Sequence, residues 1–143
     1  GINREGHASI VSTSGNPNGH LVLRGGNRGT NYHVEAIQES AAELKGAGLP
    51  DRLMVDCSHA NSSKDFRRQS EVLRAVASQV DQNSDHVMGV MIESHLVEGN
   101  QKLSADRSSL TYGQSVTDAC VSFETTAELL GELAASVARA RFS

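Results

Sequence analysis

The sequence predicts an α/β fold in which parallel strands alternate with helices, and two observations predict it. Three short apolar runs lack any alternation with polar residues, which is typical of strands buried on both faces of a parallel sheet. Each run ends in a residue with a functional side chain. The runs are His20–Leu23 before Arg24, Leu53–Val55 before Asp56-Cys57-Ser58-His59, and Val87–Ile92 before Glu93. Segments of helical periodicity lie between and after the runs, which gives the order strand, helix, strand, helix, strand, long loop, helix.

The helical segments begin and end at recognisable signals. The first ends at Gly46, since glycine is favoured just beyond a helix. The second is expected to open at Ser62, with Asp65 three residues later. The third is predicted over residues 125–141, with Thr125 and Glu128 spaced as a capping box. The residues predicted to face inward are Val34, Ile37, Ala41 and Leu44, then Phe66, Leu73, Val76, Ala77 and Val80, then Leu129, Leu130, Leu133, Val137 and Ala140.

The spacing of the strand ends indicates two candidate architectures. Arg24, His59 and Glu93 are separated by 35 and then 34 residues, close to one strand-helix unit per step. Functional residues at the carboxyl ends of successive strands are typical of a (β/α)₈ barrel. A doubly wound sheet also binds ligands at strand carboxyl ends, so this pattern leaves both open.

The length favours only part of a barrel. A complete barrel takes about 250 residues, and this chain has 143. Three strand-helix units are evident, together with a stretch from Ala8 to Thr13 that is expected to form a further strand or a hairpin arm. Three strands cannot close a barrel, and the first residue is Gly rather than Met. We therefore expect residues 1–143 to be an incomplete domain, the C-terminal portion of a (β/α)₈ barrel.

Composition excludes several classes of partner. The net charge is −4, and no basic stripe is interleaved with aromatic residues, which argues against nucleic acid or an anionic membrane. No apolar stretch approaches 18 residues, and no signal peptide is evident. The two cysteines, Cys57 and Cys120, have no CxxC partner, so a reduced cytoplasmic protein is expected, with Cys57 inert in the core.

Four residues carry the candidate chemistry. Arg24 precedes Gly25-Gly26, and a guanidinium beside exposed backbone N–H groups can capture phosphate or carboxylate; an ordinary glycine turn with a surface arginine is the alternative. His59, Glu93 and Asp118 supply one imidazole and two carboxylates from neighbouring units. Such a mixed set suits Mn²⁺, Fe²⁺, Co²⁺ or Zn²⁺. The competing interpretation is a set of loop charges that face solvent.

Longer motifs carry a resemblance to a known family. The motifs are Leu23-Arg24-Gly25-Gly26, the segment DCSHANSSK at 56–64, the segment MIESHLVEGNQ at 91–101, Tyr112-Gly113, and SVTDAC at 115–120. Over nearly its whole length the chain resembles the C-terminal part of class I 3-deoxy-D-arabino-heptulosonate 7-phosphate (DAHP) synthase, the entry enzyme of the shikimate pathway.

The resemblance implies a homo-oligomeric (β/α)₈ enzyme of aromatic amino acid biosynthesis. Its reaction joins carbon 3 of phosphoenolpyruvate to the aldehyde of erythrose 4-phosphate, adds water at carbon 2 and releases phosphate, with a divalent metal as Lewis acid. His59, Glu93 and Asp118 match family metal ligands, and Asp118 is also expected at the substrate. Arg24 matches a phosphoenolpyruvate-binding arginine, and His59 is a candidate catalytic residue that assists the proton or water step.

The chain also departs from the family pattern. The fourth metal ligand of the family, a cysteine, belongs to the N-terminal half, and neither Cys57 nor Cys120 lies in the matching motif. Thr30-Asn31-Tyr32 stands where the family commonly has Pro-Asn-Tyr, so the path of that loop is an open question. The isolated chain is therefore expected to be inactive. Two alternatives are a non-catalytic part-barrel that associates through its open sheet edges, and another metal-dependent aldolase.

Overall fold

The computed structural model describes residues 1–82 and 84–142. The elements in chain order are β1 (Leu21–Leu23), α1 (Val34–Gly46), β2 (Leu53–Asp56), a 3₁₀ turn (Phe66–Arg68), α2 (Gln69–Asp81), β3 (Val87–Met91), β4 (Val97–Asn100), a second 3₁₀ turn (Arg107–Ser109), β5 (Gln114–Ser115) and α3 (Phe123–Phe142). No helix within the described residues is both long and apolar enough to cross a membrane.

Strands β1, β2 and β3 form a parallel sheet in that order. The predicted mixed α/β fold with parallel strands is therefore confirmed. Leu53 and Val55 of β2 lie in a core to which all three helices contribute. Burial of these branched side chains is the main stabilising term, at about 1.5–3 kcal/mol for each fully buried residue. The helical residues of this core are Ile37, Val72, Leu73, Val76 and Leu129.

The expectation that every strand is buried on both faces is most nearly met by β2, in which Met54 is half-buried and the other residues are buried. Strand β1 is an edge of the sheet, and Val22 remains 40% exposed on the face opposite Leu53 and Val55. Met88 of the other edge strand, β3, is also exposed. Apolar runs predict that a strand is hydrophobic, but whether both of its faces are covered depends on how many layers pack on the sheet.

The observed ends of the three helices agree with those predicted from helical periodicity, except at the N-termini of α2 and α3. Helix α2 begins at Gln69, because residues 59–64 form turns and Asp65 accepts a hydrogen bond from the Arg67 N–H at the 3₁₀ turn. Ser62 therefore does not open the helix. Helix α3 begins at Phe123, and the Ser122 hydroxyl accepts the Thr125 N–H at 3.2 Å, so the predicted Thr125/Glu128 capping box is wrong.

Most of the predicted inward faces are confirmed. Ile37, Ala41, Leu73, Val76, Ala77 and Leu129 are buried, and Val72, which was not predicted to face inward, is buried with them. Val34 and Leu130 are exposed instead, Leu130 at 48%. Both residues lie within an apolar helical period, but at the margin of the stripe that contacts the core.

Two segments predicted as loop or strand differ in the structure. The long loop before the last helix contains β4 and β5, which pair in parallel, and a bridge between Ser94 and Val121 aligns it with the end of β3. Near the N-terminus a single antiparallel bridge joins Ile2 to Ala8. This is a short hairpin arm, whereas residues 9–13 form no strand.

Candidate functional site

The carboxyl ends of the three parallel strands open into a cleft of about 510 Å³. The structure brings all four sequence-predicted site residues, Arg24, His59, Glu93 and Asp118, into this one cleft. Its full lining is Arg24, Gly25, Gly26, Ser58, His59, Ala60, Lys64, Phe66, Glu93, Asp118 and Ala119. Parallel strand topology explains the convergence of Arg24, His59 and Glu93, since residues that follow adjacent parallel strands meet at the same sheet edge. The bridge between Ser94 and Val121 brings the loop that carries Asp118 to the same edge.

His59, Glu93 and Asp118 could together hold a metal ion. One ligand atom from each lies within 4.8 Å of the others. His59 Nε2 lies 3.8 Å from Glu93 Oε1. One imidazole nitrogen and two carboxylate oxygens form a donor set that suits divalent first-row metals. A dication between the two carboxylates would also offset their mutual repulsion.

The ring of His59 is held by a buried carboxylate. Asp56 Oδ2 lies 2.7 Å from His59 Nδ1, and the Asp56 side chain is only 4% exposed. The second oxygen, Asp56 Oδ1, accepts the Ser58 N–H at 2.8 Å. His59 has φ of 49°, a left-handed conformation that is uncommon for a residue other than glycine and is found often at functional sites.

Glu93 is held at both its carboxylate and its main chain. The Ser58 hydroxyl donates to Glu93 Oε2 at 2.6 Å. Buried Gln69 accepts the Glu93 N–H at 2.8 Å and donates to the Glu93 carbonyl at 3.2 Å. That carbonyl also accepts the Val121 N–H at 3.0 Å. These contacts fix the position from which Glu93 Oε1 faces His59.

A buried amide ties the Arg24 loop to the His59 loop. Asn61 donates to the carbonyls of Leu23 and Asp56, which end β1 and β2, and accepts the Asn31 N–H at 2.8 Å. The Asn31 side chain in turn accepts the Gly25 N–H at 2.7 Å. These hydrogen bonds hold the loop that lacks the proline of the family pattern.

Gly25 permits this close approach of the two loops. Its φ is +72°, and an added Cβ would lie 2.8 Å from the Ala60 Cβ and 2.9 Å from the Asn61 nitrogen. A side chain at residue 25 would therefore push the Arg24 loop away from the His59 loop. Arg24 itself is exposed at the cleft wall.

Asp118 is held less firmly than the other two candidate ligands. It is exposed, and it lies on the loop between β5 and α3. The Cys120 thiol donates to its main-chain carbonyl at 3.5 Å. This side of the cleft therefore depends on a loop, whereas the His59 and Glu93 side depends on buried hydrogen bonds.

Both cysteines are free and neither lines the cleft. Burial, and secondarily the negative charge of Asp56, raises the pKa of the Cys57 thiol to about 12. Burial, followed by the charge of Glu93, also raises the pKa of Cys120. A thiol with a raised pKa is a poor nucleophile and a poor metal ligand. The expectation that Cys57 lies inert in the core agrees with this geometry.

Sequence reasoning missed the residues that support the site. The 56–64 motif contains Asp56, Ser58, Asn61 and Lys64. Their position in the sequence beside His59 indicated that they lie near the site, but it did not indicate what each one contacts. Gln69 gave no signal, because a glutamine at the start of a helix is usually a solvent-exposed residue. Only the tertiary contact with Glu93 reveals its position.

Comparisons with known proteins agree with the resemblance. A family model described as "DAHP synthetase I family" matches residues 2–131. The Tyr-sensitive phospho-2-dehydro-3-deoxyheptonate aldolase of Escherichia coli K12 is 47% identical over 133 residues, 93% of this chain and 37% of that protein. The Haemophilus influenzae phospho-2-dehydro-3-deoxyheptonate aldolase is 45% identical over 136 residues, 95% of this chain and 37% of that protein.

A solved structure shows the same local fold. The phospho-2-dehydro-3-deoxyheptonate aldolase of Francisella tularensis superimposes with a TM-score of 0.85 at 45% identity, covering 98% of this chain and 40% of that one. The chain thus spans roughly two fifths of the length of the relatives it matches.

The fold and the cleft define an α/β protein with a candidate metal centre at the carboxyl ends of parallel strands. Since a family model covers 130 of its 143 residues, from 2 to 131, the chain belongs to the DAHP synthetase I family.

Proposed function

We propose that residues 1–143 form the C-terminal portion of a (β/α)₈ DAHP synthase barrel, which condenses phosphoenolpyruvate with erythrose 4-phosphate and releases phosphate. The observation that carries the proposal is the convergence of Arg24 with the His59, Glu93 and Asp118 set in one cleft. Relatives named phospho-2-dehydro-3-deoxyheptonate aldolase support the class of reaction.

The proposed metal ligands are His59 through Nε2, Glu93 through Oε1, and Asp118. The contacts within the cleft favour these atoms, since Nδ1 of His59 and Oε2 of Glu93 are occupied by Asp56 and Ser58. A divalent metal bound there would supply Lewis-acid polarisation of the aldehyde carbonyl. Mn²⁺, Fe²⁺, Co²⁺ and Zn²⁺ all suit this donor set.

Arg24 is the proposed phosphoenolpyruvate-binding residue. Its guanidinium offers a planar fork that matches phosphate or carboxylate, and it lines the same cleft as the candidate ligands. Asp118 is proposed to contact substrate as well, because it lies exposed at the cleft mouth. A role for His59 in the proton or water step stays a prediction.

A chimaera tests the proposal. In the E. coli Tyr-sensitive relative, the segment that matches this chain is replaced by residues 1–143. We expect phosphate release that requires phosphoenolpyruvate, erythrose 4-phosphate and a divalent metal together. An inactive but folded chimaera that still binds its metal, or turnover without erythrose 4-phosphate, would refute the proposed reaction.

Arg24→Ala in the same chimaera tests the substrate site. Loss of a charge-assisted hydrogen bond costs about 1.5–3 kcal/mol, so kcat/KM for phosphoenolpyruvate should fall about 10- to 150-fold. Lys45→Ala, which removes a cation at the end of α1 outside the cleft, is the matched control and should leave kcat/KM unchanged.

The isolated 143-residue chain is proposed to be inactive. Its three-stranded sheet does not enclose the cleft, and the candidate metal site within the described residues has three ligands. Condensation by the purified chain with added Mn²⁺ would contradict this. We further propose that the complete enzyme is a cytoplasmic homo-oligomer that uses no nucleic acid or membrane partner.

A non-catalytic assembly module is the second candidate function. Open edges and a half-exposed face on the β1-β2-β3 sheet favour it, since Val22 and Met88 remain exposed there. Unpaired strand edges promote association. Light scattering after size-exclusion chromatography separates the two candidates, because a stable monomer of the isolated chain would exclude an assembly role.

A further inference from the structure

We infer that Asp56 is a positioning residue that fixes the tautomer of His59, so that the ring carries its proton on Nδ1 and directs the Nε2 lone pair into the cleft. The tautomer itself stands on the hydrogen bonds around Asp56. The further statement that this tautomer prepares His59 Nε2 to bind a metal rests on the proposed metal centre.

The contacts of Asp56 leave one arrangement of protons. A carboxylate offers acceptors only. Asp56 Oδ1 already accepts the Ser58 N–H at 2.8 Å, and Oδ2 faces His59 Nδ1 at 2.7 Å. A favourable contact at that distance requires the ring nitrogen to donate. In the neutral ring the proton is therefore on Nδ1, and Nε2 is the acceptor.

Burial makes this contact a fixed feature of the fold. The Asp56 side chain is 4% exposed, whereas that of His59 is 30% exposed. The Asp56 main-chain carbonyl is also held by the Asn61 amide at 2.8 Å. A rigid acceptor thus orients a more accessible ring, which is the relation commonly found between an outer carboxylate and a metal-ligating histidine.

Ser58 links this orientation to that of Glu93. Its N–H donates to Asp56, and its hydroxyl donates to Glu93 Oε2 at 2.6 Å. The free atoms that remain, His59 Nε2 and Glu93 Oε1, face each other at 3.8 Å.

The tautomer can be measured directly on the metal-free 143-residue chain. Two-bond ¹H–¹⁵N correlation spectra at pH 8.5 distinguish an Nδ1–H ring, an Nε2–H ring and a doubly protonated ring, and a His59→Gln spectrum assigns the His59 signals. We expect the Nδ1–H form in the wild-type chain. Either of the other two forms would overturn the inference, whether or not the chain binds metal.

Asp56→Asn should invert the tautomer. The Ser58 N–H keeps the asparagine oxygen on its side, which places the side-chain NH₂ against His59 Nδ1 and moves the ring proton to Nε2. Loss of an outer-shell partner typically weakens metal binding about 10- to 100-fold, and we expect that fall in Co²⁺ affinity by absorbance titration. An Asp56→Asn chain that keeps both the Nδ1–H form and wild-type Co²⁺ affinity would overturn the inference.

Asp51→Asn is the matched control. Asp51 also lies beside a histidine, with Oδ2 3.8 Å from His86 Nδ1, but outside the cleft. It should change neither the His59 tautomer nor Co²⁺ affinity. If the wild-type chain binds no Co²⁺, a metal centre formed by His59, Glu93 and Asp118 alone is excluded, while the tautomer measurement still decides the role of Asp56. If Asp56→Asn does not fold, the wild-type spectrum decides it alone.

Discussion

The two sides of the cleft are built differently. His59 and Glu93 follow strands of the central sheet, and buried polar side chains hold each of them. Asp118 lies on an exposed loop, and within residues 1–82 and 84–142 its hydrogen bond is a weak thiol contact to its main chain. Preorganised ligands reduce the entropy lost on binding. The difference indicates that two candidate ligands are set by folding, whereas the third is placed by a loop.

The largest expected effect is a difference in thiol reactivity between the sheet side of the cleft, next to Cys57, and the loop side, next to Cys120. Cys57 follows Asp56 on the sheet side, and its pKa of about 12 instead of 9.0 makes the thiolate about 1,000-fold scarcer at pH 8. In the folded chain, we expect iodoacetamide to alkylate Cys57 at least about 1,000-fold more slowly than it alkylates Cys57 in the chain unfolded by guanidinium. The alkylation rate of Cys57 in the folded chain should rise with pH.

Single-thiol variants make that comparison specific. Cys120→Ser leaves Cys57 as the reporter, and Cys57→Ser leaves Cys120, which also has a raised pKa. Mass spectrometry should show Cys120 reacting faster than Cys57. Equal alkylation rates of Cys57 and Cys120 in the folded chain would mean that the loop side of the cleft is as inaccessible to solvent as the sheet side.

Gln69→Met should weaken the sheet side strongly. Methionine keeps the length of the side chain but leaves the Glu93 N–H without its acceptor. A buried unsatisfied group costs about 1–3 kcal/mol, so we expect the free energy of unfolding to fall by about that amount. Urea denaturation measures it. Gln38→Met, on the exposed surface of α1, is the control and should change little.

Gly25→Ala tests the contact between the Arg24 loop and the His59 loop. An added Cβ meets Ala60 and the Asn61 nitrogen below 3.0 Å at a positive φ, and such strain costs about 1–3 kcal/mol. Gly26→Ala is a close control, because its Cβ would meet nothing within 4 Å. Similar thermal stability of the two variants would contradict the close approach described for Gly25.

Asp118→Asn should have the smallest effect on stability. Surface substitutions of this kind change the free energy of unfolding by no more than about 0.5 kcal/mol, while Co²⁺ affinity should fall because a candidate ligand is lost. Glu98→Gln removes an exposed carboxylate outside the cleft and serves as the control for charge. A larger loss of stability than for Gln69→Met would reverse the proposed order of the two sides.

Much of the fold was predictable because it depends on local patterns. Apolar runs indicated the three strands of the sheet, and helical periodicity indicated α1 almost to its ends. The start of α2 was missed because positive φ at Ser63 and Lys64 interrupts a helical pattern. Strands β4 and β5 were missed because they are short and depend on pairing between residues distant in the chain.

The candidate site shows the same division. The 56–64 and 91–101 motifs supplied His59 and Glu93, and SVTDAC supplied Asp118. Their convergence within 4.8 Å required the parallel pairing of β2 with β3 and the bridge from Ser94 to Val121, which brings the Asp118 loop to the end of β3. The support given by Gln69 to Glu93 crosses 24 residues of sequence, so no local pattern could have indicated it.

The sequence by itself determined the class of fold, the family and the kinds of donor atom available, because these depend on local periodicity and on long motifs. Only the tertiary structure decided which atoms of those donors are free. Asp56 occupies one atom of His59 through a contact across the left-handed turn at His59, whereas Ser58 can occupy one atom of Glu93 only after β2 and β3 have paired in register.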